Sequence, residues 1–206
     1  MKAILIVSLS FLPLLAFLTN ATIKNADQVI DVYGNGVFPG ISYYILPAVP
    51  APVNPPDNGG LKLAKTGNSN CALTVLHDNS KLGFPVKFIL PGISLIEIYI
   101  GSPLEIKFKD SPQCAKSPKW MVFVDKELNE TFVGIGGAEG HPGQQIFDGT
   151  FHVEIYNFWY KLVFCQTNST TCSDIGMFHP LKGEDGRRLY LTKNKPFNVM
   201  FLNATH

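Results

Sequence analysis

The stretch VIDVYGNGVFPGISYYI, Val29 to Ile45, is where the fold becomes readable. Asp31 stands ahead of Gly34-Asn35-Gly36, residue types that supply turn hydrogen bonds and left-handed backbone. Tyr43-Tyr44-Ile45 has the composition of a returning strand. Alone this spells a hairpin. Outward from it the same texture recurs: Leu104 to Phe108, Phe151 to Ile155 and Leu189 to Lys193 alternate apolar with polar residues. Eighteen glycines and fifteen prolines punctuate such runs at turn-like intervals, and helical spacing is hard to find. The pattern predicts an all-β barrel or sandwich.

A weak internal repeat narrows the choice. Leu61 to Lys65 leads into CALTVL, Cys71 to Leu76, much as Leu189 to Lys193 leads into FNVMFL, Phe197 to Leu202. An aromatic strand appears three times, at Tyr43, Lys119 and Trp159. Three related units of about 60 residues suggest a closed threefold architecture, which a β-trefoil satisfies. The Pro-rich tract Ala48 to Asn58 reads as a surface loop between strands, because strand-like sequence resumes at Leu61.

The first 21 residues place Lys2 before an apolar run, Ala3 to Leu18, and then small and polar residues. That order predicts a secretory signal peptide cleaved after Ala21; Pro13 and the shortness of the run argue against a membrane anchor. A single domain over residues 22–206 is expected, a length at which roughly 70% of the unfolded chain's surface can be buried. With 17 basic and 16 acidic residues, the chain lacks the basic excess of a nucleic-acid or anionic-membrane binder.

Four cysteines, Cys71, Cys114, Cys165 and Cys172, suggest disulfides in a secreted chain, and three pairings are open. Pairing in sequence order would join Cys71 to Cys114 and Cys165 to Cys172, contributing roughly 4 and 2.5 kcal/mol by loop entropy. No C-x2-C pair points to zinc. Sequons begin at Asn129, Asn168 and Asn203, and Asn168 falls inside the shorter cysteine loop, which must then face solvent.

Little suggests catalysis. His77, His141, His152, His179 and His206 show no metal-ligand spacing and read as scattered surface or turn residues. The Gly-rich run from Gly134 lacks the Gly-Lys-Ser/Thr ending of a phosphate cradle, and Glu184-Asp185 reads as part of a turn flanked by Arg187 and Arg188. No nucleophile, base and orienter come together, so no enzyme, cofactor or metal is predicted.

The spacing of Val29, Asp31, Gly34, Val37, Tyr43 and Ile45 resembles the signature of the plant Kunitz soybean trypsin inhibitor family. GGLKLAKTGNSNCALTV from Gly59, YKLVFC from Tyr160 and the block from Asp174 to Phe201 are similar to further blocks of that family. The resemblance implies a β-trefoil of about twelve strands, the two sequential disulfides, no cofactor, and inhibition of a serine protease by a preformed substrate-like loop. Such a loop loses little ordering entropy on binding.

In trypsin-inhibiting relatives the bait loop lies between strands similar to GFPVKF, from Gly83, and PLEIKF, from Pro103. This assigns Pro91, Gly92, Ile93, Ser94, Leu95 and Ile96 to the reactive loop, followed by a strand from Ile96 to Ile100 with Ile96, Ile98 and Ile100 on one face. Counting from Gly83 puts the scissile bond at Ile93-Ser94; counting from Pro103 puts it at Ser94-Leu95. Either way the primary residue is not basic. Trypsin's primary pocket ends in a carboxylate, and leaving that charge unpaired costs about 3 to 5 kcal/mol, roughly a hundredfold to several thousandfold in affinity. Strong trypsin inhibition is not expected of this loop.

A second departure concerns support. Relatives use an Asn side chain to prop the loop from within; the matching residue here is Pro39, which has no donor to offer. Lys116-Ser117, beside Cys114, is a second basic candidate that reads first as an ordinary solvated turn. The expectation is a secreted or vacuolar, monomeric inhibitor of a chymotrypsin-like, elastase-like or subtilisin-like protease, with neither nucleic acid nor membrane as partner. The alternatives are a cysteine-protease, aspartic-protease or amylase inhibitor acting through another loop, and a trefoil without inhibitory activity that serves storage, defence or signalling.

Overall fold

The computed structural model describes residues 27–48, 59–79, 82–92 and 97–205. The predicted signal segment 1–21, most of the Pro-rich tract, His206, and Ile93, Ser94, Leu95 and Ile96 lie outside them. Thirteen strands are formed among the described residues: β1 (Ser42–Pro47), β2 (Gly60–Ala64), β3 (Thr74–Asp78), β4 (Val86–Ile89), β5 (Glu105–Phe108), β6 (Met121–Asp125), β7 (Glu130–Gly134), β8 (Ile146–Phe147), β9 (Gly149–Tyr156), β10 (Trp159–Gln166), β11 (Cys172–Met177), β12 (Arg187–Thr192) and β13 (Val199–Asn203). The helical turn Gly137–Gly140 accompanies them.

Six of the strands close into a ring. β5 pairs with β4, β4 with β1, β1 with β13, β13 with β10 and β10 with β9, and a bridge between Leu104 and Phe151 returns from β9 to the start of β5. Period-2 alternation fills the ring. Tyr43 and Ile45, Val86 and Phe88, Ile106 and Phe108, Phe151 and Val153, Leu162 and Phe164, and Val199 and Phe201 all enter one core. Each large apolar side chain buried there contributes about 1.5–3 kcal/mol relative to exposure. Edge-on aromatic contacts, Phe88 with Phe201 and Trp120 with Phe151, pack its interior.

Three hairpins, β2–β3, β6–β7 and β11–β12, cap one end of the ring and pair with one another through β3, β7 and β12. Each third of the chain therefore runs ring strand, hairpin, ring strand. This is the β-trefoil plan of twelve strands, with the two-residue β8 added along β6.

The threefold count is correct, whereas the sequence repeats do not occupy equivalent places. The aromatic runs at Tyr43 and Trp159 are ring strands β1 and β10, but the run at Lys119 is the cap strand β6. Likewise CALTVL leads into the cap strand β3, while FNVMFL forms the ring strand β13. What recurs is apolar alternation, which both ring and cap strands need.

Because ring neighbours are antiparallel, β1, β5 and β10 run toward the cap and β4, β9 and β13 run away from it. Residues 90–104, joining β4 to β5, therefore emerge at the uncapped end, beside the segment that precedes β1. Residues 109–118, joining β5 to β6, emerge on the cap side.

Candidate functional site: the loop between β4 and β5

The loop is approached through Gly83, which lies in the left-handed region and bridges Leu61, while Phe84 N donates to Leu61 O. After β4, Leu90 is buried, Pro91 is half-buried and the exposed Gly92 turns the chain with a φ of 69°. Ile93, Ser94, Leu95 and Ile96 lie outside the described residues. The chain resumes at Glu97, whose carboxylate accepts a hydrogen bond from the Tyr99 hydroxyl at 2.9 Å. That bond holds the Tyr99 phenol above its usual range.

Of the strand expected from Ile96 to Ile100, the described part, residues 97–100, is not regular. Ile98 is fully buried and Ile100 packs at the core's edge, as predicted for one face, but Tyr99 makes a single bridge, to Gln28. The N-terminal segment, not a long partner strand, satisfies this stretch: Val29 N donates to Ile98 O and Ile100 N to Asp27 O, both at 2.8 Å.

Both feet of the loop are tied to one short segment. Gly40 N donates to Phe88 O at 2.9 Å on the entering side, and Ile98 N donates to Val37 O at 3.0 Å on the leaving side. Val37 to Gly40 is thus a backbone strut across the base of the loop, with Pro39 in its middle. The strut is itself held: the buried Tyr43 hydroxyl accepts from Phe38 N at 3.0 Å, and Val37 N donates to Val29 O. The turn before it is organised by Asp31, whose Oδ1 accepts from the amides of Tyr33 and Asn35, both at 2.9 Å. Burial pushes the Tyr43 phenol up, partly offset by the bond from Phe38.

The other predicted residues fall elsewhere. Cys71 is joined to Cys114, with Cα atoms 5.9 Å apart, and Cys165 to Cys172 at 4.2 Å. The second pair are direct partners across β10 and β11, so Asn168 sits at an exposed hairpin end with a φ of 65°. Asn129 occupies the exposed β6–β7 turn with a φ of 52°. Asn203 ends β13, its Oδ1 accepting from Thr205 N and Oγ1. The histidines do not all lie on the surface: His77 and His141 are buried, the latter with its ring nitrogens against Ile135 O and Gln144 and its ring tilted against Phe123. Among the described residues no three His, Cys, Asp or Glu side chains converge to hold a metal.

Arg188 corrects the reading of a turn flank. It is 4% exposed, its guanidinium bonded to Glu184 and Asp125 and set over the Phe132 ring. Glu184, four residues earlier, was a faint signal; Asp125, 63 residues away, left none.

The family model described as trypsin and protease inhibitor, Kunitz legume type, matches residues 29–203. The chain belongs to the Kunitz legume inhibitor family. Members of this family are protease inhibitors, not enzymes. The chain is 44% identical over 212 residues to a Kunitz-type trypsin inhibitor-like protein of Pisum sativum, covering 99% of this chain and 94% of that one. It is 48% identical over 188 residues to the subtilisin inhibitor CLSI-II of Canavalia lineata, covering 88% and 95%. The crystal structure of a Kunitz type trypsin inhibitor from Cicer arietinum superposes with a TM-score of 0.79 at 46% identity, over 86% of this chain and 99% of that one. Soybean trypsin inhibitor, solved in complex with porcine pancreatic trypsin, matches with a TM-score of 0.72 at 31% identity, over 86% and 99%.

Proposed function

We propose that this Kunitz protein is a secreted or vacuolar, monomeric inhibitor of a serine protease with an apolar primary pocket, presenting Pro91 to Ile96 as bait. The observation behind the reading is the strut: Val37 and Gly40 hold both feet of the loop through backbone bonds that need no side-chain amide. A loop whose ends are set before contact forfeits less entropy on binding. Between Leu90 and Ile100 the sole charge is Glu97, so an Ile, Ser or Leu would enter the pocket. The similarity to a subtilisin inhibitor favours a subtilisin-like target among the three classes.

The test is titration of subtilisin, chymotrypsin and elastase with the mature protein, followed by mapping of any cut bond. Sub-micromolar inhibition of at least one is expected, with slow cleavage at Ile93-Ser94 or Ser94-Leu95. Rapid cleavage there without a retained complex would instead support the trefoil without inhibitory activity.

A further inference from the structure

The basic candidate Lys116 sits in a loop anchored on both sides, as the feet of the β4–β5 loop are. Residues 109–118 leave the far end of the β4–β5 ladder and return to it where Lys119 bridges Lys107. On the leading side, Cys114 is bonded to Cys71, Ala115 N donates to Pro112 O at 2.8 Å, and Ala115 packs on the core. On the trailing side, Ser117 O accepts from Gly136 N at 3.0 Å, Ser117 Oγ accepts from Lys119 N at 3.1 Å, and Pro118 O accepts from Phe108 N at 3.1 Å. Two residues on, Trp120 is buried against Phe108 and Phe151.

Lys116 stands between these anchors with its side chain 73% exposed. Its one ion-pair partner, Glu139, is 4.0 Å away and as open to solvent, a pairing that holds it weakly. A braced backbone therefore offers a weakly held, exposed ammonium, flanked by small Ala115 and Ser117, with a proline two positions beyond that limits rearrangement.

We infer that Lys116-Ser117 is a second bait, for a serine protease whose primary pocket ends in a carboxylate, such as trypsin. The lysine would supply the charge that the Pro91 to Ile96 loop lacks, and pairing it inside a desolvated pocket is the contact that discriminates. The inference rests on the reading of this chain as an inhibitor acting through braced loops, and extends it to two heads. The two loops leave opposite ends of the β4–β5 ladder, one at the uncapped end of the barrel and one on the cap side, so two proteases can be held at once.

The experiment uses the mature protein, its Lys116→Ala and Lys116→Arg variants, and a triple Ile93→Gly, Ser94→Gly, Leu95→Gly variant, all verified by an unchanged thermal midpoint. Each is titrated with anhydrotrypsin and, separately, with subtilisin. Expected are micromolar or tighter trypsin binding by the wild type and the triple variant, a loss of roughly 100-fold or more in Lys116→Ala, and recovery in Lys116→Arg. A trypsin–inhibitor–subtilisin ternary complex should appear by size-exclusion chromatography. Trypsin binding that survives Lys116→Ala, absence of binding to the wild type at about 100 μM, or cleavage of Lys116-Ser117 by active trypsin with release would each overturn it. Subtilisin inhibition retained in those cases leaves the first loop's role standing, whereas its loss from the wild type counts against that role alone.

Discussion

The amide of Gly40 donates to the carbonyl of Phe88 across 2.9 Å, two residues before the chain leaves β4 into the β4–β5 loop at Leu90. With Ile98 N on Val37 O, it makes the loop's span a property of the backbone. In relatives that use an Asn for this purpose the support is a side chain; here Pro39 sits within the strut and limits its freedom by fixing its own φ.

Gly40 has a φ of 78°, with open space where a Cβ would stand. Gly40→Ala should therefore meet backbone strain without a clash, costing about 1 kcal/mol and lowering the thermal midpoint by roughly 2–4 °C for a domain of this size. Loosening the strut should also speed cleavage of the 91–97 loop by subtilisin. An Ala variant cut no faster than wild type would show that this hydrogen bond does not brace the bait.

The identity of the primary residue is decided by moving the charge. Ile93→Arg and Ser94→Arg are each expected to leave the fold intact; the one at the primary position should create trypsin binding that persists when Lys116 is Ala. The gain is expected to approach the 3 to 5 kcal/mol that a paired pocket carboxylate restores. Equal, weak trypsin binding by both arginine variants would argue that the loop does not enter the cleft in substrate fashion.

Arg188 is the most deeply buried cation described, and removing it strands Asp125 and Glu184. Arg188→Ala should destabilise by about 3 kcal/mol, the lower end of the cost of leaving buried charges uncompensated, since Asp125 and Glu184 are partly exposed. Arg188→Met with Asp125→Asn and Glu184→Gln should recover much of that loss, since apolar and neutral replacements remove the desolvation penalty. Urea midpoints of both variants are the measurement; an Arg188→Ala midpoint within error of wild type would refute the account.

Alkaline stability follows from three phenols. Burial pushes Tyr43 and Tyr160 up, each partly offset by an incoming backbone N–H, and the bond to Glu97 raises Tyr99. A raised phenol binds its proton more tightly in the folded state, so its contribution is complete below the unfolded value near 10 and is lost as pH climbs through the folded value. Stability should thus fall above about pH 10, and absorbance near 295 nm should show Tyr43, Tyr99 and Tyr160 ionising above the usual phenol range unless the protein is first unfolded. Ionisation of Tyr43, Tyr99 and Tyr160 at the ordinary phenol value in the native state would contradict it.

Much of this was open to reading without coordinates, for a physical reason. A ring strand with one face in the core must alternate, so Leu104 to Phe108 and Phe151 to Ile155 announce themselves locally. Turn chemistry is equally local, and Asp31 performs the role its spacing suggests, accepting from Tyr33 and Asn35. The strand expected from Ile96 to Ile100 is irregular over its described part, residues 97–100, because burial of Ile98 is shared by strands and by irregular segments that borrow hydrogen bonds from distant parts of the sequence; Val29 and Val37 lie 69 and 61 residues from Ile98.

The chain's alternation and turn residues by themselves predict an all-β, threefold protein, and its motif spacing resembles the Kunitz family, which implies a bait at Pro91 to Ile96 with no basic residue in it. Only the tertiary structure decided that backbone bonds from Gly40 and Val37 tie both ends of the β4–β5 loop, that Arg188 is a buried ion centre, and that Lys116 is braced on the cap side of the barrel while the β4–β5 loop leaves the uncapped end. Those relations join residues far apart in sequence, and no local preference of the chain encodes which distant carbonyl or carboxylate will be waiting.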